Sequence, residues 1–144
     1  MQKAKGFTII ELIVVVAIIA VLAAIVSINV VTYLNKGKDA AIKSDLETAQ
    51  SAMAALIDST TGIVAGSCTD TTGDLYKAYT AAGVITGASN TDCNSVVGAA
   101  AVCAQLKATS GDYFCVDSVG NKKQIAGTCV STSSATVCPA SGNF

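Results

Sequence analysis

The apolar positions divide this chain into unequal parts. Residues 7–34 form a long apolar run, interrupted by Glu11 and a few small polar residues, and no charged side chain occurs from Leu12 to Asn35. As a helix this run spans about 42 Å at about 1.5 Å per residue, more than the roughly 30 Å of a bilayer core. The pattern then changes without a break. Ile42, Leu46, Ala49, Met53 and Leu56 recur at steps of four and three, with Lys43, Asp45, Glu47 and Gln50 between them. That spacing predicts one apolar stripe on a helix. Asp39 stands four residues before Lys43, the favoured order for a helical ion pair. A single helix is therefore expected from about residue 8 to about residue 59, ending near Thr60-Thr61-Gly62. Its weakest point is Asn35-Lys36-Gly37-Lys38, where an interior glycine costs about 1 kcal/mol relative to alanine.

The remaining sequence is rich in Gly, Ser, Thr and Ala. The pattern predicts a short helix over residues 75–82, ended by Gly83, and another over 96–107 with Asn94 or Ser95 as its cap. Residues 112–117 and 122–126 predict two paired strands around the loop 118–121, with Phe114 and Val116 on one face. Residues 128–130 and 136–138 are candidates for further short strands. The expected class is α+β: a long N-terminal helix packed against a small antiparallel sheet. The stripe on the helix's second half gives that sheet its place to pack.

Composition sharpens this picture. Beyond the long helix the aromatic residues are Tyr76, Tyr79, Tyr113, Phe114 and Phe144, so the core is thin. Small domains of this kind are usually stapled. All six cysteines (Cys68, Cys93, Cys103, Cys115, Cys129 and Cys138) lie in this part. An even number behind an export-type N-terminus predicts three disulfides in an oxidising compartment. No Cys-x-x-Cys pair and no histidine is present, so a zinc site is not expected. The acids Asp70, Asp74, Asp92, Asp112 and Asp117 are scattered without an Asp-x-Asp-x-Asp calcium loop. No metal or other cofactor is expected. Nine lysines, no arginine and a net charge of −1 give no basic footprint for nucleic acid. Without histidine, Ser-His-Asp and Cys-His catalysis are excluded, and no enzymatic site is expected. Lys3 and Lys5 ahead of the apolar run favour an N-terminus kept in the cytoplasm, with the cysteine-rich part outside.

The stretch Lys5-Gly6-Phe7-Thr8-Ile9-Ile10-Glu11, followed by the apolar helix, closely resembles the class III signal of type IV pilins and their pseudopilin relatives. The resemblance is strong over residues 5–34 and extends more weakly to about residue 59. The stretch DYFCVDSVGNKKQ is also similar to head-domain hairpins of some bacterial pilins. The resemblance implies four parts: a cleaved leader, residues 1–6; a membrane and assembly helix, 7–34; the amphipathic half of that helix, 35–60; and a cysteine-rich head, 61–144. It implies cleavage between Gly6 and Phe7 by a prepilin peptidase and methylation of the new Phe7 amine by the same enzyme. Glu11, with Thr8 beside it, is the implied assembly contact, its carboxylate meeting the N-terminal amine of a neighbouring subunit. The implied partners are further copies of the chain in a helical homopolymer, the peptidase, the assembly platform and the inner membrane. Localisation would pass from that membrane to an extracellular filament.

Two functions fit the signal. One is a type IV pilus subunit serving adhesion, surface motility or DNA uptake; the other is the major pseudopilin of a type II secretion system. A conventionally secreted protein cut near Val21-Leu22-Ala23 is a third reading, opposed by Glu11 inside the apolar run and by its continuation to Leu34. Many pilins carry a helix-breaking Gly and Pro in the anchor, where this chain has Ala20 and Ile28. A continuous helix through residues 15–30 is therefore expected, with Ser27 and Asn29 bonding back to carbonyls one turn earlier. Six cysteines allow fifteen pairings. The pilin-like C-terminal loop implies Cys129–Cys138. Cys103–Cys115 would tie the second short helix to the first strand, leaving Cys68–Cys93.

Overall fold

A computed structural model describes residues 6–58, 67–129, 135–142 and 144. The chain divides into two compact units, Met1–Leu34 and Asn35–Phe144. One helix, α1 (Ile9–Asp58), contributes to both. It has no break at Gly37, where a Cβ would meet nothing within 4 Å, nor anywhere in residues 15–30. Ser27 Oγ donates to the Ala23 carbonyl at 2.8 Å and Asn29 Nδ2 to that of Ile25 at 3.3 Å. Both polar side chains thereby find partners on their own helix, as the sequence suggested. The expected stop at Thr60-Thr61-Gly62 lies outside the described residues.

In the second unit, α1 is followed by α2 (Asp74–Thr86), a 3₁₀ turn (Ala88–Asn90) and four strands: β1 (Thr91–Val96), β2 (Ala99–Gln105), β3 (Asp112–Asp117) and β4 (Lys122–Ala126). The strands form an antiparallel meander in the order β1-β2-β3-β4. The apolar stripe of α1 meets this sheet. Ile42, Leu46, Ala49 and Met53 are fully buried against Leu75, Ala78 and Ala82 of α2 and against Ala100, Val102, Ala104, Phe114 and Val116 of the sheet. The opposite face of the sheet buries Ala101, Cys103, Tyr113, Cys115 and Ile125 under the C-terminal segment with Cys129, Cys138 and Phe144. A thin sheet is thus covered on both sides.

A polar stripe runs along α1 beside the apolar one. Asp39 accepts from the backbone amides of Lys107 at 2.6 Å and Ala108 at 3.1 Å. Lys43 donates to Gln124 Oε1 at 3.1 Å and lies 5.5 Å from the Phe114 ring centre. Glu47 pairs with Lys122 at 3.1 Å, and Gln50 donates to the carbonyls of Asp117 and Asn121 at 3.4 and 3.2 Å. The expected Asp39–Lys43 ion pair is replaced by these longer-range contacts. A buried carboxylate beside two unpaired loop amides gains more from them than from a lysine in solvent.

Four expectations are corrected. Residues 96–107 are not a helix but the second half of a β-hairpin and its turn. Gly98, at φ 82°, allows the tight reversal between β1 and β2. The run Ala-Ala-Ala-Val-Cys-Ala lacks alternation because β2 is buried on both faces, and periodicity alone does not separate that from a helix. The first short helix extends past Gly83 to Thr86. Gly83 is there for packing: a Cβ would come within 3.2 Å of Thr91 Oγ1. Residues 128–129 and 136–138 form no strand; Val130 lies outside the described residues. The disulfides are Cys68–Cys93, Cys103–Cys129 and Cys115–Cys138, not Cys103–Cys115 or Cys129–Cys138. Cys103 and Cys115 are direct cross-strand neighbours. Such positions hold their Cβ atoms about 4.5–5.5 Å apart, wider than the ~3.8 Å typical of a disulfide. Each bonds instead to the segment passing over that face.

Candidate processing and assembly site

The residues singled out by the sequence, Gly6, Phe7, Thr8 and Glu11, come together at the start of α1. Thr8 is the residue before the first helical position, and Glu11 is the third residue of the helix. Their side chains cap each other's backbone. Glu11 Oε2 accepts from the Thr8 amide at 2.9 Å and from the Thr8 hydroxyl at 2.6 Å. Thr8 Oγ1 accepts from the Glu11 amide at 3.4 Å, and the Thr8 carbonyl accepts from the Leu12 amide at 3.3 Å. This is a capping box: two otherwise orphaned amides are satisfied reciprocally, and the carboxylate also faces the positive end of the helix dipole. The sequence reading singled out both residues but overlooked this role. Its signal, Thr-x-x-Glu ahead of an apolar run, is present in Thr8-Ile9-Ile10-Glu11.

Gly6 has no internal reason to be glycine. A Cβ there would meet nothing within 4 Å, and the residue is not among those with positive φ. Phe7 is 80 % exposed. Lys3 and Lys5 lie outside the described residues.

Along the rest of this unit, every large apolar side chain described between Phe7 and Leu34 is exposed. Helix α1 is long and apolar enough to cross a membrane, and its most apolar window is entirely unburied within the chain. A helix greasy on all sides needs an apolar medium, lipid or protein, around all of it. The site therefore combines a small residue next to an exposed junction, a carboxylate fixed at a helix N-terminus, and an uncovered apolar cylinder. Among the described residues no group of three or more metal-ligating side chains occurs.

No curated protein and no solved structure matches the chain. A family model does match at the N-terminus, the prokaryotic N-terminal methylation motif, over residues 1–27. That span covers the Gly6-Phe7 junction, the Thr8–Glu11 capping box and most of the exposed apolar helix. Residues 1–27 are thus the class III signal of type IV pilins and pseudopilins, carried by a membrane-anchored precursor with a disulfide-bonded head.

Proposed function

We propose that this chain is the structural subunit of a type IV pilus, polymerising through α1 after a prepilin peptidase cuts between Gly6 and Phe7. The observation that carries the proposal is the methylation motif on a helix whose apolar side chains have no cover within the chain. A small residue at position 6 keeps the scissile bond open to the enzyme. Because the fold makes no demand for glycine there, the demand comes from outside the chain. Cleavage creates an amine on Phe7, which the same enzyme methylates.

Glu11 then serves twice. A carboxylate costs about 2.5–3.5 kcal/mol at the centre of a membrane helix on insertion scales. The capping box lowers that cost by giving the charge two donors of its own. During assembly the Phe7 ammonium of a neighbouring copy reaches the same carboxylate. Leaving a buried charge without its partner costs about 3–5 kcal/mol, so a slipped neighbour is rejected and the register is set. The head acts as the building block of an exposed fibre rather than as a catalyst. Its three disulfides suit a fibre outside the cell, which favours the pilus over a secretion pseudopilus.

The test is mass spectrometry of the N-terminal peptide from surface filaments sheared from the native cell. A chain starting at N-methylated Phe7, as the filaments' main component, is expected. The same N-terminus found only in the cell envelope would move the chain to a secretion system. A start near Ala24 or Ile25 would overturn both assignments.

A further inference from the structure

The three disulfides differ in how the fold shields them. Five of the six cysteines are buried: Cys103, Cys115 and Cys129 at 0 % exposure, Cys138 at 4 % and Cys68 at 6 %. Cys93 is only half-buried. It lies on β1, an end strand of the sheet, opposite Val102, and packs at the margin of the core that α1 and α2 form with the sheet. A groove of about 470 Å³ between α2 and the start of β1 reaches the Cys68–Cys93 bond, and both cysteines line it.

The other two disulfides lie beneath a fastened cover. Cys103 and Cys115 sit on the inner strands β2 and β3, and their partners Cys129 and Cys138 belong to the segment that crosses that face. The Cys129 amide donates to Gln105 Oε1 at 3.0 Å and the Cys138 amide to Asp117 Oδ2 at 3.0 Å. The Tyr113 hydroxyl donates to the Gly142 carbonyl at 2.9 Å, and the Phe144 amide to the Thr128 carbonyl at 3.2 Å. A thiol reaches these sulfurs only after the segment lifts and those bonds break. An opening of that size approaches global unfolding in cost, whereas an edge site opens locally.

We infer that Cys68–Cys93 is a thiol–disulfide exchange site, open to a dithiol in the folded head while Cys103–Cys129 and Cys115–Cys138 stay closed. A thiolate of the reductant attacks Cys93 Sγ, forms a mixed disulfide and releases Cys68 as a thiolate, which takes up a proton. The second thiol of the reductant, deprotonated, then attacks the reductant's own sulfur in that mixed disulfide and releases Cys93. The protein disulfide gains two electrons and two protons and becomes two thiols; the dithiol loses them and becomes a disulfide. The step unties the segment at Cys68 from β1, ahead of α2, and leaves the two disulfides on the other face in place. It is independent of how α1 assembles.

The experiment treats oxidised full-length protein in detergent micelles with dithiothreitol, quenches aliquots with iodoacetamide and maps the alkylated cysteines by peptide mass spectrometry. Cys68 and Cys93 should be labelled together, at least about tenfold faster than the other four, in a species that keeps its far-UV circular dichroism. In concentrated guanidinium chloride the three disulfides should be reduced within about threefold of one another, because access no longer differs. Glutathione, a monothiol, should leave its adduct on Cys93. Loss of all three disulfides together, earlier labelling of any of the other four cysteines, an adduct on Cys68 instead, or a preference that persists unchanged in guanidinium would each overturn the assignment.

Discussion

Asp117 joins three parts of the head. It is the last residue of β3 and fully buried. Its Oδ1 accepts from the amides of Val119 at 3.1 Å and Asn121 at 2.8 Å; its Oδ2 accepts from Asn121 Nδ2 at 2.8 Å and from the Cys138 amide at 3.0 Å. One carboxylate thus closes the β3–β4 turn and fastens the C-terminal segment over the sheet. Burial by itself would raise the Asp117 pKa. The bonds from the Asn121 side chain and from the Cys138, Asn121 and Val119 amides together outweigh it, and hold the carboxyl below its ordinary range. Replacing Asp117 with Asn keeps the volume but turns one oxygen into an NH2 facing donors. Two of the four bonds go, and the charge assisting the others goes too. With about 1.5–3 kcal/mol for a bond to a charged group, and allowing for non-additivity in one network, the loss is about 3 kcal/mol. For a head of this size that lowers Tm by about 12 °C.

The assay is thermal unfolding by circular dichroism of oxidised full-length protein in micelles, across pH. The folded pKa is depressed, so this group's contribution is complete above the unfolded pKa of about 3.9. It is lost as pH falls through the folded pKa. The Tm gap between wild type and Asp117→Asn should therefore be widest near neutrality and shrink below about pH 4. Equal melting temperatures at neutral pH, or a gap that holds or widens in acid, would refute the reasoning.

Four further outcomes are expected. Asp39→Ala leaves the Lys107 and Ala108 amides without their acceptor and should cost about 3 kcal/mol in denaturant unfolding, whereas disrupting an Asp39–Lys43 surface pair would cost under about 1 kcal/mol. Non-reducing peptide mapping should recover Cys103 linked to Cys129 and Cys115 linked to Cys138, which close spans of 26 and 23 residues; Cys138→Ser should cost about 3 kcal/mol. Glu11→Ala should yield a processed, membrane-held subunit that polymerises poorly, measured as sheared filament per cell, while Thr8→Ser, which preserves the capping box, should assemble normally. A filament density map should show residues 15–30 as continuous helix, because Ala20 and Ile28 give α1 no reason to unwind.

Much of this was legible in the sequence because it is local. The apolar run over residues 7–34, the stripe from Ile42 to Met53 and the β3–β4 hairpin all follow from spacing along the chain. Helices and hairpins are made of near neighbours, so pattern alone finds them. The junction at Gly6-Phe7 and the glutamate four positions beyond it were likewise visible as a motif.

The tertiary structure decided what depends on distant neighbours. The Ala-rich run of β2 reads as helix or as doubly buried strand until one knows that α1 covers one face of the sheet and the C-terminal segment the other. Asp39 looks like half of an exposed ion pair until the loop at Lys107 and Ala108, far along the chain, brings two amides to it. Cysteine partners are set by which segment crosses which sheet face, a matter of three-dimensional layering that spacing does not encode. The contact of α2 with β1, where a Cβ at Gly83 would stand 3.2 Å from Thr91 Oγ1, likewise joins residues that no local spacing relates.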